Sequence, residues 1–167
     1  MKAFFIKQYG KSEVLTFGDQ PEPSLRDDDV LVQIHAASVN PLDNKIRSGE
    51  FKLLLPYKMP LILGTDLAGV VVKVGARVSR FKIGDEVYAR PDDERIGTFA
   101  EFIAVKETSL ALKPANLSME EAASIPLVAL TAWQTLVVKG NLKEGQKVSC
   151  KLVKGQKGMQ ADEVQPM

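Results

Sequence analysis

Thiol and imidazole side chains are almost missing from this 167-residue chain. The one cysteine, Cys150, excludes an internal disulfide and any zinc site built from several cysteines. The one histidine, His35, falls alone on a strand-like stretch, where such a residue is more often a surface or structural group than a ligand. Charge of one sign is missing too. Lys and Arg number 22 against 21 Asp and Glu, and the net +1 gives no overall pull toward nucleic acid or an anionic membrane. No run approaches the ~20 apolar residues of a membrane span. The opening MKAFFIKQYG is too brief for a signal-peptide core and reads as a strand. No internal repeat or low-complexity tract interrupts the chain. What remains is the composition of a soluble globular protein, with a cytoplasmic setting as the expectation.

Strand signals dominate up to about residue 113. Met1 to Lys7 is short and apolar and Gly10 breaks it; Val14 to Phe17 follows, then a Pro21–Pro23 turn. The acids Asp27 to Asp29 are expected to sit solvated on a turn. Val30 to Ala37 alternates, with Val30, Val32, Ile34 and Ala36 on one face and Gln33 and His35 on the other. Residues 41 to 48 offer one or two helical turns halted by Gly49. A loop kinked by Pro56 and Pro60 leads to strands near 67–74 and 84–89. Pro91 to Arg95 reads as an exposed loop, Phe99 to Val105 as another strand and Ser109 to Lys113 as a last short one. The period then changes. Ser118 followed by Glu121 is a capping box at a helix start; Pro126 interrupts that helix, and Leu127 to Val138 resumes it until Gly140-Asn141.

The most informative stretch is LILGTDLAGVVVKVGARVSRFKIGDEVY, Leu61 to Tyr88. It sets Gly64, Asp66 and Gly69 before Val70-Val71-Val72, then a turn at Gly75 with Val78 and Phe81, then Gly84-Asp85. Before it stand Val39-Asn40-Pro41-Leu42-Asp43 and Ile46-Arg47-Ser48-Gly49. Leu110 to Pro114, Glu120-Glu121-Ala122-Ala123, Pro126 and Leu130-Thr131-Ala132-Trp133 follow in order. Together these residues resemble the N-terminal, GroES-like catalytic domain of the medium-chain dehydrogenase/reductase superfamily, and within it the zinc-free quinone and enone reductases. The resemblance implies a mostly β (α+β) fold: a partly closed barrel over residues 1 to about 115, with helices at its C-terminal side. Most of the glycines serve backbone turns and specify the fold without doing chemistry.

The resemblance also addresses metal and site. Zinc alcohol dehydrogenases of the superfamily carry a cysteine at the position of Asn40 and a histidine at that of Thr65. Asparagine and threonine are poor zinc ligands, so no metal is expected. The resemblance carries over Asn40 as a polar catalytic and cofactor-binding group near a nicotinamide, and Thr131 as a contact to its carboxamide edge. Tyr57 is a candidate proton donor, weighed against an exposed loop tyrosine packing its ring. Asp43 is read as holding the local backbone or a partner side chain behind the site, or else as capping a helix. Lys45, where quinone reductases of the branch often carry tyrosine, tilts the implied activity toward α,β-unsaturated carbonyls. Such a reduction builds charge on the carbonyl oxygen, which hydrogen-bond donors or a solvent proton must stabilise.

The C-terminal part departs from the family. After Leu142 to Val148 the resemblance implies a buried strand and a glycine-rich turn cradling a pyrophosphate at a helix N-terminus. The chain reads SCKLVKGQKGMQADEVQPM instead. A Rossmann domain is therefore expected to be absent. NADPH is expected for the full-length family and no cofactor for these residues alone. Gly145 to Val164 resembles the last two strands of a cold-shock domain, but the tail has no Phe, Tyr or Trp on which bases could stack. The expected division is 1–138, the GroES-like domain with its linker helices, and 139–167, a lysine-rich tail that is hairpin or disordered. Three functional readings stay open: a fragment of an NADPH-dependent quinone or enone reductase, a non-catalytic small-molecule or partner-binding module, and weak nucleic-acid binding by the tail. The side around Asn40, Thr65 and Thr131 is expected to lie open, with Leu130 and Trp133 exposed and self-association through the uncovered apolar surface.

Overall fold

Alternating apolar residues build the strands. In the computed structural model, which describes residues 1–155 and 158–167, the chain divides into two units, Met1–Leu127 and Val128–Met167. The first unit begins with β1 (Lys2–Ile6), β2 (Leu15–Asp19) and β3 (Asp29–Ser38), and then α1 (Pro41–Ser48). It continues through β4 (Leu61–Ile62), β5 (Asp66–Val74), β6 (Glu86–Ala89), β7 (Phe102–Lys106) and β8 (Leu110–Leu112). Short α2 (Met119–Ala123) follows, and α3 (Pro126–Trp133) starts at the unit's end.

Two antiparallel sheets form, in the orders β2-β1-β4 and β7-β3-β5-β6-β8. Residues 99–101 join them. The Phe4 N–H donates to the Phe99 carbonyl at 2.8 Å, and the Ile34 N–H donates to the Glu101 carbonyl at 2.9 Å. That shared segment curls the sheets into the partly closed barrel expected from the sequence. Val30, Val32, Leu67, Val71 and Val87 are fully buried inside it. A smaller cluster of Ile6, Ile46, Leu61 and Leu63 packs between α1 and the first sheet. Ala122 and Ala123 of α2 lie on Ala68 of β5, where small side chains let the helix approach closely.

Helix ends follow local chemistry. α1 stops where Gly49 turns left-handed at φ 85°, a conformation that strains any side chain. In α2 the Ser118 Oγ accepts the Glu121 N–H at 3.1 Å while Glu121 accepts the Ser118 N–H at 2.8 Å. Ser118→Ala is expected to cost about 1 kcal/mol, read as a lower urea midpoint at unchanged slope; no shift would mean this short helix rests on Ala122 and Ala123 alone. Pro126 occupies the first turn of α3, where its missing N–H does no harm.

Two expectations need correction. Asp29 is not solvated: it is fully buried and held by Arg95, whose Nη1 and Nη2 each reach one carboxylate oxygen at 2.7 Å. For the same reason residues 91–95 are not a free loop. Asp93–Arg95 forms a 3-10 turn, Asp92 accepts the Ser109 hydroxyl at 2.8 Å and pairs with Lys106, and Arg90 pairs with Asp93. Leu61–Ile62, left unassigned between the Leu53–Pro60 loop and the strand near 67–74, is a strand that pairs with Ile6 and Phe5 of β1.

In the second unit, α3 passes into π-helical turns at Gln134–Lys139, ending at Gly140 and left-handed Asn141. An antiparallel hairpin of β9 (Val148–Gly155) and β10 (Gly158–Pro166) follows, with Leu152 opposite Ala161. Gln156 and Lys157, part of the tail that resembles a cold-shock domain, lie outside the described residues.

Candidate functional site

Asn40 stands where β3 gives way to α1. Its extended backbone makes it the N-cap, and Pro41 at the first helical position directs the chain into the helix. Asp43, one turn on, reaches back so that its Oδ2 accepts the Asn40 N–H at 2.6 Å. Asp43 thus holds the local backbone, as its first reading has it, from the third position of the helix that Asn40 caps.

The side chain of Asn40 points inward, to the start of β5. Its Nδ2 donates to Asp66 Oδ2 at 2.9 Å and to Thr65 Oγ1 at 3.3 Å, with Ser38 Oγ at 3.4 Å. Thr65 in turn donates to Asp43 Oδ1 at 3.2 Å, and Ser38 donates to Asp66 Oδ2 at 3.1 Å. The other Asp66 oxygen accepts the Leu127 N–H in the first turn of α3, at 3.0 Å. Five polar side chains from β3, α1 and the start of β5 thus satisfy one another without a cation in contact. Asn40 is 8% exposed and Thr65 1%, so these two side chains are buried where the sequence reading expects them open, whereas Leu130 and Trp133 are exposed as it expects. The reason for the burial is that buried polar groups gain by saturating one another.

Burial raises both carboxyls above their ordinary range. For Asp43, the Asn40 N–H and Thr65 hydroxyl oppose that rise and the neighbouring Asp66 charge adds to it. For Asp66, hydrogen bonds from Asn40, Ser38 and Leu127 oppose it, with Arg90 helping from a distance.

Tyr57 is set apart from this group by its hydrogen bond. Its hydroxyl proton goes to the Asp93 carbonyl at 2.7 Å, and its ring packs on the cluster around Ile46 and Leu61. Burial first, then the Asp93 charge, pushes the phenol up to about 12. Thr131 lies on α3 in the second unit and is exposed, as are Leu130 and Trp133 of the same helix. His35 sits at a register shift of β3 opposite β5, on the wall of an open, mainly apolar hollow of about 630 Å³ with Phe4, Phe17 and Val39.

Sequence reasoning placed Asn40 and Asp43 but missed Asp66 and Ser38. A signal for Asp66 was present: an acid opening the apolar run LAGVVV is carried into the core by its own strand. Among the described residues no three His, Cys, Asp or Glu side chains gather as metal ligands. Nor do the described helix starts fit a pyrophosphate. Each already has a carboxylate on a backbone N–H: Asp43 at α1, Glu121 at α2 and Asp66 at α3.

The alcohol dehydrogenase GroES-like domain matches residues 26–115. The chain is 43% identical over 147 residues to the 2-methylene-furan-3-one reductase of Solanum lycopersicum, a match covering 84% of this chain and 38% of that protein. It is 42% identical over 144 residues to the chloroplastic NADPH-dependent alkenal/one oxidoreductase of Arabidopsis thaliana, covering 82% and 37%. The quinone oxidoreductase from Coxiella burnetii superposes with a TM-score of 0.80 at 34% identity, over 87% of this chain and 47% of that one. The chain therefore spans about two-fifths of the length of the curated relatives it matches. With the curled antiparallel barrel and the helix-capping asparagine at the β3–α1 junction, these matches show that the chain belongs to the alcohol dehydrogenase GroES-like domain family.

Proposed function

We propose that these residues form the substrate-side part of an NADPH-dependent reductase acting on α,β-unsaturated carbonyls or quinones. The observation that supports this reading best is the identity above 40% to two plant proteins whose names describe enone and alkenal reduction. Asn40 is the residue we assign to the reacting end of the cofactor, and Thr131 the second contact there. Tyr57 is protonated at any working pH, and serves as a proton donor only when its hydroxyl leaves the Asp93 carbonyl. Charge building on the carbonyl oxygen of such a substrate needs a donor. The amino group of Asn40 already has its hydrogens directed into the protein, so that donor is solvent or Tyr57.

The 167-residue chain by itself is expected to bind no NADPH at micromolar levels. One or two contacts of roughly 0.5–1.5 kcal/mol each fall far short of the ~8 kcal/mol that such binding needs. Calorimetric titration checks this, and saturable micromolar binding would overturn it. The activity itself is tested by joining residues 1–147 to the part of the Arabidopsis protein beyond the matched segment. The hybrid should oxidise NADPH when given a small enone or a quinone, and Tyr57→Phe should lower kcat if the phenol is the donor. A hybrid that binds NADPH yet reduces neither compound sinks the proposal.

A further inference from the structure

Asp66 is fully buried, yet its hydrogen bonds come from three separate pieces of the fold. Oδ2 accepts from Ser38 at the end of β3 and from Asn40 at the cap of α1; Oδ1 accepts from the Leu127 N–H in the first turn of α3. All three donors are neutral. An ionised carboxylate can only accept hydrogen bonds, so the group it faces must present a donor. That requirement dictates which end of the Asn40 carboxamide turns inward. The amino end does, and its two hydrogens are taken by Asp66 Oδ2 at 2.9 Å and Thr65 Oγ1 at 3.3 Å.

We propose that Asp66 is the positioning residue of this site, holding the amino end of the Asn40 carboxamide inward and tying that setting to the first turn of α3. The proposal deepens the functional reading and rests on the assignment of Asn40 to the site. Its consequence is specific. While Asp66 is a carboxylate, Asn40 offers a ligand no amide hydrogen; when Asp66 loses its accepting oxygen, the amide is free to turn over. Asp66 acts through Asn40 and touches no reacting atom itself.

The charged groups that bear on Asp66 are Asp43 on α1 and Arg90 beyond β6. Asp43 has its own reporter, the Asn40 backbone N–H bonded to its Oδ2. The test is nuclear magnetic resonance of the isotope-labelled 167-residue chain, with no cofactor added. In the unaltered chain the Asn40 side-chain amide protons and the Leu127 N–H should shift together as pH falls, with one midpoint shared with the Asp66 carboxyl carbon. Asp43→Asn, which removes a neighbouring negative charge, should lower that midpoint and leave it shared by the two signals. Asp66→Asn keeps an oxygen for Leu127 but turns a donor on Asn40. The Asn40 protons should then lose their protection from exchange while Leu127 keeps its own. Asp66→Ala should release both, and Leu127 exchange should rise about tenfold or more.

Separate midpoints for Asn40 and Leu127 in the unaltered chain overturn the proposal, and that experiment needs no variant to fold. So does an Asp66→Asn chain whose Asn40 protons stay protected, or whose Asn40 and Leu127 signals are lost equally. Because no readout uses the cofactor, a chain that passes here and fails as part of a hybrid reductase removes the functional reading and leaves Asp66's role standing.

Discussion

Arg95→Ala is expected to lower the stability of the first unit by about 3 kcal/mol. Asp29 opens β3 with its side chain fully buried, and the guanidinium of Arg95 meets both carboxylate oxygens at 2.7 Å while also reaching the Ala104 carbonyl at 3.1 Å. Removing the arginine leaves a buried charge supported by the Arg26 N–H at 3.1 Å and by the more distant Arg26 guanidinium. The cost lies at the lower end for a broken buried pair because the Arg95 side chain is still 20% exposed. A urea titration should show the midpoint falling at unchanged slope. The pH dependence follows from the sign of the shift. The hydrogen bond with Arg95 holds the Asp29 carboxyl below its ordinary 3.8. The pair's contribution is therefore complete above that value and is lost as pH falls through the folded-state value. The gap between the unaltered chain and Arg95→Ala should be widest near neutrality and narrow in acid. A gap that stays constant from neutral pH down through that acid range would show that lost packing, and not the ion pair, sets the cost.

Gly69→Ala is expected to be comparably damaging, for a steric reason. A Cβ on Gly69 would stand 2.1 Å from the Gln33 carbonyl oxygen and 2.9 Å from Val32 Cγ1. That oxygen belongs to β3, which pairs with β5 on one side and β7 on the other, so it cannot retreat without breaking a ladder. A loss of about 3 kcal/mol, the upper part of the range for overpacking, is the expected result. Gly84→Ala is the internal comparison. Its Cβ would meet nothing within 4 Å, and only the left-handed backbone at φ 92° opposes it, a cost of roughly 1 kcal/mol. Thermal melts of the two variants side by side decide the matter; equal losses would mean that β3 yields to the added carbon and that its contact does not make Gly69 necessary.

Much of the barrel was legible because its signals are local. Alternation marked β3 from Val30 onward, and the turn glycines marked the ends of α1 and β5. Ser118 and Glu121 marked the start of α2 with the same residues that cap it. The candidate site was legible only as a list of positions. Asn40 was found from the motif it opens, and its neighbour Asp43 was read correctly as holding the local backbone. Asp66 was passed over because it sits among glycines and valines whose fold role was plain. The β4 pairing was missed because two residues after a proline carry no period of their own.

Most of the strands and helices in their order, and the likeness to quinone and enone reductases, follow from the residues by themselves. Each depends on neighbours within a few positions along the chain. What only the tertiary structure decided is which polar groups are inside and whom they meet. Asp29 is buried because Arg95, 66 residues away, comes to neutralise it; as one of three consecutive acids it looks like any solvated turn. Asn40 turns its amino end inward because Asp66, 26 residues on, accepts there. The proton of Tyr57 belongs to a carbonyl 36 residues distant. The cost of burying a charge or a dipole depends on the partner waiting for it, and such partners are brought together only when the sheets close.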